Sequence, residues 1–483
     1  MGTVNDELSC IKTSKRQAVY RKCLSFALSK GRIYMNDINR KGYLFSNNDL
    51  VKLIIPLVIE QFLAITVGLA DTIMIAEVGE SAVSAVSLVD TVNILIINIF
   101  TALATGGAVV CGQYIGKRER ENACRAADQL VLFTVAASIV VMAAVYLLKD
   151  WILGTVFGKI EPDVMSGANT YILIVSASIP FIALYNSGAA LFRTMGNSSI
   201  SMITSLVMNG INIAGNAVMI YGMKLGVAGA AIPTLVSRIV AALVVYFLMR
   251  RKKYMVHVSR RPVLKPNSGL IKKILYIGVP NGLENSMFQL GKILVLSLVS
   301  TFGTASIAAN AVANNIAVFQ TLPGIAVGVA LITVISRCIG AGDYKQARFY
   351  TRKLIGVSYI FILLMDILIY IILPALLRAY KLSDETYSYA DRIILYHGFM
   401  AVLIWPLAFS LANTLRAAND VKFTMIAAIA SMWIFRIGFS YLLADYFGLG
   451  VFGVWVAMTI DWVGRAAAFV YRYVGHKWER HKI

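Results

Sequence analysis

Two carboxylates stand inside one apolar run. The stretch "PLVIEQFLAITVGLADTIMIA", residues 56–76, is long enough to cross a bilayer, yet it carries Glu60 and Asp71. A bare carboxylate in hydrocarbon is expensive, so each must pair with a donor, hold a cation or take up a proton. At about 100° per residue the two acids fall on nearly one helical face, roughly 16 Å apart along the axis. Pro56 removes one helix hydrogen bond and Gly68 adds a soft point, so this helix has two candidate hinges. A purely structural role, with each acid paired or protonated between helices, competes with an ion-binding role for both residues.

Other polar side chains inside apolar segments point the same way. In "NGINIAGNAVMIYG", Asn209, Asn212 and Asn216 recur at three-to-four spacing and share a stripe. Amide carbonyls beside a carboxylate make an oxygen-rich site for a hard cation, and they can equally bond a protonated acid. Thr234 can add a hydroxyl. Ordinary interhelical hydrogen bonding is the competing reading for each asparagine. Further along, "PNGLENSMFQLGKILV" sets Asn281, Glu284, Asn285, Gln289 and Lys292 at helical spacing. Arg436 is a second cation in an apolar run, and Glu284 is a candidate partner for it or for Lys292. Glu60, Glu284, Asn285, Gln289, Lys292 and Arg436 are therefore candidates to face a substrate cavity. Asp90 and Asp366 are weaker candidates, and Arg193 and Arg416 read as structural or gating residues at matching helix ends.

These residues need a scaffold, and composition supplies it. Hydrophobic residues make up 58% of the 483 and charged ones only 14%, with a mean hydropathy of +0.71. A soluble domain is nearer half apolar and a quarter charged. Twelve apolar segments are long enough to span about 30 Å of hydrocarbon: 51–76, 84–112, 124–148, 164–193, 199–222, 226–249, 270–300, 306–339, 348–376, 388–415, 420–444 and 449–472. The net charge of +20 is concentrated in alternate loops such as "GKRERENACR" and "RRKKYMVHVSRRPVLKPNSGLIKK". That alternation is the positive-inside pattern of a plasma-membrane protein with both termini cytoplasmic, rather than a nucleic-acid surface. The first 50 residues contain no cleavable signal sequence. Five cysteines, Cys10, Cys23, Cys111, Cys124 and Cys338, lack metal-ligand spacing and read as reduced thiols.

A shift of 224 residues lays the chain on itself. Pro56 and Glu60 fall on Pro280 and Glu284, Gly79 on Gly303, Gly116 on Gly340, and "LGVAGAA" on "LGVFGVW". Such an offset marks duplication. Six spans per half give both halves one orientation, an architecture used by transporters with the substrate path between the halves. The fold class is all-α and polytopic: twelve transmembrane helices in two six-helix bundles related by parallel duplication. The organisation expected is a basic tail over 1–49, a first lobe over 50–249, a basic linker over 250–269, a second lobe over 270–475 and a short tail over 476–483. The halves have diverged in chemistry: Asp71 falls on Val295, Gly68 on Lys292, Asn212 on Arg436 and Asn216 on Ser440. No P-loop, nucleophile elbow or His/Cys cluster is present, which argues against an ATP-driven pump or an enzyme and calls for no cofactor.

The combination of "GLADTIMIAEVGESAVSAVSL", "GQYIGKRERENA", "LFRTMGN", "INIAGNAVMIYG" and "LGVAGAA" resembles the multidrug and toxic compound extrusion family of secondary transporters over nearly everything after residue 50. The resemblance implies a V-shaped pair of six-helix bundles and export of organic cations or other amphipathic compounds in exchange for H⁺ or Na⁺. It implies a bilayer-embedded monomer with a small-molecule substrate and no nucleic-acid partner. By matching motif positions it assigns ion coupling to Asp71 with Asn212, Asn216 and Thr234, the same oxygens serving as sodium ligands if Na⁺ is the ion, and helix bending to Pro56. Phe288 stands where members often carry a seventh-helix glutamate, and Trp405 where some carry a tenth-helix acid, so the resemblance puts coupling in the first lobe. A lipid-linked oligosaccharide flippase, or an exporter of a small metabolite, is the alternative that Lys292 and Arg436 keep open.

Overall fold

The computed structural model describes residues 42–156, 161–259 and 265–480. Twelve long helices match the twelve apolar segments. The first lobe comprises α1 (Asn47–Ala76), α2 (Glu80–Gly116), α3 (Arg120–Thr155), α4 (Pro162–Ser176 with Ile179–Thr194), α5 (Ser198–Gly222) and α6 (Ala228–Met249). The second comprises α7 (Ser268–Ser300), α8 (Thr304–Gly340), α9 (Tyr344–Ala379), α10 (Asp384–Ala417), α11 (Val421–Tyr446) and α12 (Gly450–Val474). Ten of these are long and apolar enough to cross a membrane, or eleven with the two-part α4. The remaining one, α7, spans 33 residues and is as long as its neighbours, but it carries the polar stripe that ends at Lys292. The basic tail expected over 1–49 lies outside the described residues up to position 41, and so do Cys10 and Cys23. Cys111, Cys124 and Cys338 form no disulfide.

Local chemistry accounts for the breaks. Ser46 caps α1 by accepting from Asp49 N, while Asp49 returns a carboxylate to Ser46 N. The segment 164–193, expected as one span, bends by 47° between Ser176 and Ile179. Pro180 sits in the first turn of the second part, where its missing N–H is harmless. Gly79 and Gly303, repeat mates, precede α2 and α8 with φ of +130° and +86°, which side chains with a Cβ rarely adopt.

The two halves meet through α1 and α2 on one side and α7 and α8 on the other. Their hydrogen bonds gather toward the end of the bundle that carries the basic loops. There Gln113 Nε2 donates to Asn419 Oδ1 at 2.8 Å and to the Ala417 carbonyl at 3.1 Å. Arg337 Nε donates to the Thr194 carbonyl at 2.9 Å, and Thr333 to the Arg193 carbonyl at 3.2 Å. Backbones touch at the repeat-related glycines: a Cβ on Gly116 would come within 2.1 Å of the Arg337 carbonyl oxygen, and one on Gly340 within 2.0 Å of that of Gln113.

The start of α1 is shared between the halves. Leu50, Leu53, Ile54 and Leu57 are buried in one core with Tyr350, Leu354, Leu415 and Phe469 of the second half. Upstream, Phe45 donates its N–H to Tyr350 Oη at 2.9 Å and accepts back at 2.6 Å, and Leu44 N donates to Gln346 at 2.9 Å. Helix α1 then runs unbroken through Pro56 and Gly68. Proline deprives the Lys52 carbonyl of its helical donor. The Ser198 hydroxyl from α5 takes that place, 3.2 Å from Lys52 O and 2.7 Å from Leu53 O.

Candidate functional site

In the first lobe the structure gathers Asp71, Asn212, Asn216 and Thr234 from α1, α5 and α6. The stripe spacing of α5 turns Asn212 and Asn216 to one side, and both amides reach Asp71. Asn216 Nδ2 donates to Asp71 Oδ1 at 2.7 Å. The Asn212 amide lies between Asp71 and Thr234 Oγ1: one terminal atom is 2.8 Å from Asp71 Oδ1 and 3.3 Å from Oδ2, the other 3.1 Å from Thr234.

That placement supports two complete hydrogen-bond arrangements. With its nitrogen facing Asp71, Asn212 donates to an ionised carboxylate and accepts from the Thr234 hydroxyl. With its oxygen facing Asp71, it accepts from a protonated carboxyl and donates to Thr234, whose hydroxyl then donates to the Ala230 carbonyl at 2.9 Å. Which end faces the acid is set by charge, because an amide presents a donor at one end and acceptors at the other. A cation would select the oxygen-facing form, and Asn216 Oδ1, buried without a partner, is one more oxygen available to it. Asn209, on the same stripe, stops at Ser205, 3.5 Å away.

Asp90 from α2 lies nearby, accepting from Tyr171 Oη at 3.3 Å. Arg238 from α6, within electrostatic reach of both Asp90 and Asp71, donates to Ser178 Oγ at 2.7 Å. Sequence reasoning did not single out Arg238, although a lone arginine within an apolar span carries the same signal as the acids.

Glu60 belongs elsewhere. It is 5% exposed, with Oε1 accepting from Arg193 Nη2 at 2.7 Å and Oε2 from Ser201 Oγ at 2.8 Å. Both oxygens are occupied inside the lobe, and Glu60 does not line the chamber described below. Glu284 repeats the arrangement: its Oε1 accepts from Arg416 Nη2 at 2.7 Å. The partners expected for Glu284, Lys292 and Arg436, are not the ones it takes. The repeat explains this, since "LFRTMGN" and "TLRAAND" align and carry Arg193 and Arg416.

The other polar residues enclose a chamber in the second lobe, a cavity of about 450 Å³ walled by Glu284, Phe288, Lys292, Arg436, Trp455 and Trp462. It continues into a second cavity of about 270 Å³ that shares Lys292 and Arg436 and reaches Asn310. Asn281 and Asn285 also line the chamber, while Gln289 does not. Thr105 of α2 touches it from the first lobe, but Asp71 does not line it. The Asp71 site and the chamber thus lie in different lobes. Arg436 sits within a π-helical stretch, Met432–Gly438, and a second one, Ala217–Gly222, follows Asn216; such wide turns are frequent at functional sites. Asp366 is buried behind this wall, with neither oxygen hydrogen-bonded among the described residues. The pair Asp461–Arg465, at 2.9 Å, escaped sequence reasoning, though its i,i+4 spacing is legible. No cluster of three or more His, Cys, Asp or Glu side chains suited to a metal occurs among the described residues.

The MatE family model matches residues 56–218 and 280–442, once in each half. Among curated proteins, the uncharacterized transporter YisQ of Bacillus subtilis is 26% identical over 416 residues, covering 84% of this chain and 90% of its own. The probable multidrug resistance protein NorM of Thermotoga maritima is 24% identical over 444 residues, covering 90% and 94%. Among solved structures, an outward-facing multidrug resistance MATE family transporter superposes with a TM-score of 0.83 at 21% identity, covering 88% of this chain and 95% of that one. With two matched repeats, twelve long helices and a polar chamber beside their junction, the chain belongs to the MatE family of membrane efflux transporters and is not an enzyme.

Proposed function

We propose that this chain is a secondary active exporter of amphipathic organic compounds, driven by H⁺ or Na⁺ returning through the first lobe. The observation that carries the proposal is Asp71 held between two amides that satisfy it in either charge state. Such a site can load and unload an ion without leaving the carboxyl group itself unpaired, which would cost about 1–3 kcal/mol. Asn212 and Asn216 are the coupling amides, and Thr234 is the hydroxyl that lets Asn212 turn.

The basic end faces the cytoplasm in this reading, with both termini there, because alternate loops hold the Lys and Arg. The chain works as a monomer in the plasma membrane, with bilayer lipid as its only other partner. With the basic end sealed by Gln113, Arg337 and the Gly116–Gly340 approach, the conformation described is the outward-facing one. Ion loading at Asp71 biases α1 against α5. Since α1 begins in the second lobe's core, that bias passes to the junction of the lobes. Each load favours one state, which is all that antiport requires. An electrical gradient adds about 2.3 kcal/mol per charge per 100 mV.

The organic cation implied by family resemblance would meet a chamber whose lining holds two cations without an acidic partner, Lys292 and Arg436, so a positive charge on the substrate is not carried over from the resemblance. Lys292 and Arg436 also favour, as a second reading, a carrier of lipid-linked or other anionic metabolites. The test of coupling is efflux of a fluorescent amphiphile from reconstituted vesicles with ΔpH and ΔpNa imposed one at a time. Drive by either gradient supports the proposal and names the ion; efflux indifferent to both removes it.

A further inference from the structure

We infer that the second-lobe chamber is a binding site for an amphipathic organic anion, its carboxylate, sulfonate or phosphate seated between Lys292 and Arg436. This deepens the transport proposal and rests on its taking the chamber as the substrate route.

The inference comes from which charges on the wall are compensated. Arg416 has Glu284 at 2.7 Å, and Arg465 has Asp461 at 2.9 Å. The side chains of Lys292 and Arg436 have neither a hydrogen bond nor an ion pair among the described residues, and Arg436 is only 8% exposed, with its Nε buried and unpartnered. Both instead lie over one ring: Lys292 Nζ is 5.4 Å and the Arg436 guanidinium 5.3 Å from the centre of Phe288. Arg465 approaches the same ring at 5.6 Å. The ring's negative face attracts a cation, but it carries no net charge and cannot neutralise two of them. Like charges held together in a low-dielectric wall repel strongly, and an anion between them turns that repulsion into attraction.

The remaining walls fit an apolar body. Trp455, Trp462 and Met458 line the chamber, and the Trp462 Nε1–H is buried without an acceptor. Among the residues that line the chamber, the orphaned buried donors are Arg416 Nε, Arg436 Nε and Trp462 Nε1, against one acceptor, Glu284 Oε2, while the unpartnered oxygens of Asp366 and Asp461 lie outside the lining; the group the lining lacks is an acceptor. Guanidinium suits a planar, two-oxygen anion particularly well. An organic cation would have to approach these two charges with Glu284 already engaged by Arg416.

The test is equilibrium binding to the purified full-length chain in phosphatidylcholine nanodiscs, read by tryptophan quenching, with no ion gradient. The probes are 2-naphthoate and its neutral isostere 2-naphthamide. The expected result is at least tenfold tighter binding of the naphthoate, a preference that the Lys292→Gln, Arg436→Gln double variant abolishes and Lys292→Arg retains. If the glutamine variants fail to fold, the wild-type comparison of the two probes still decides. Equal binding of both probes, or displacement of naphthoate by ethidium at lower concentration, would overturn the inference. Repeating the titration in nanodiscs containing phosphatidylglycerol separates the two sources of the anion. A large loss of naphthoate affinity assigns the site to a lipid headgroup, and no loss assigns it to a free organic anion. Failure of naphthoate binding while efflux still follows an imposed gradient overturns the anion site alone, and tight naphthoate binding with efflux indifferent to both gradients overturns the coupling alone.

Discussion

Glu60 and Arg193 stand 2.7 Å apart in the first lobe, and their repeat mates Glu284 and Arg416 stand 2.7 Å apart in the second. Duplication therefore preserved an ion pair in each lobe while the chemistry around it diverged. Both glutamates are buried, so removing one partner strands a charge. Glu60→Gln or Arg193→Gln should cost about 3–5 kcal/mol, and the double substitution less than the sum of the two. Thermal unfolding in detergent measures this. Additive losses would mean that the pair does not act as a unit.

The Ser198 hydroxyl covers carbonyls that Pro56 leaves exposed. Ser198→Ala should destabilise by about 1–3 kcal/mol by orphaning a buried acceptor. In a Pro56→Ala background, where the helix supplies its own N–H to Lys52 O, the same change should cost much less. A thermal-unfolding cycle over the four proteins gives the coupling.

Closure at the basic end depends on Gly340 and Gly116 meeting opposite backbones. Gly340→Val cannot be accommodated by moving a side chain, because the atom in the way is the Gln113 carbonyl oxygen. The variant should shift the population toward separated basic ends. Spin labels placed on the loops after α2 and α8 should report a longer mean distance than in the wild type. An unchanged distance would mean that the seal is set elsewhere.

Phe45 and Tyr350 exchange two hydrogen bonds across 305 residues of chain. Tyr350→Phe removes the donor and acceptor that pin the start of α1 to α9. It should leave the fold intact and raise hydrogen exchange at residues 44–47 selectively. Protection unchanged at those amides would show that burial of Phe45, rather than the hydroxyl, holds the segment.

Much of this was legible before the structure. Hydropathy fixed twelve helices because hydrocarbon leaves the backbone no other partner but itself. The repeat forecast paired elements down to Gly79 with Gly303. The Asp71 constellation was legible in part: three-to-four spacing put Asn209, Asn212 and Asn216 on one face of α5, and the family resemblance singled out Asn212, Asn216 and Thr234. Pairings across helices were not. On sequence grounds Glu284 was expected beside Lys292 or Arg436, and only packing put Arg416 beside it. The bend in α4 followed from Pro180, but whether a proline kinks a spanning helix depends on what replaces the lost bond. At Pro56 Ser198 does so, and α1 stays continuous. Lobe membership was also hidden, because the buried face of α1 reads the same whichever half it packs against.

The central claim, that Asp71 carries the coupling ion, is tested most directly by gradient-driven efflux from vesicles holding wild type or Asp71→Asn. The amide of the variant keeps the hydrogen bonds but neither binds nor releases a proton and holds a cation poorly. The expected outcome is a folded protein that binds substrate as wild type does and shows no acceleration under either ΔpH or ΔpNa. Full gradient-driven efflux by Asp71→Asn would contradict the account.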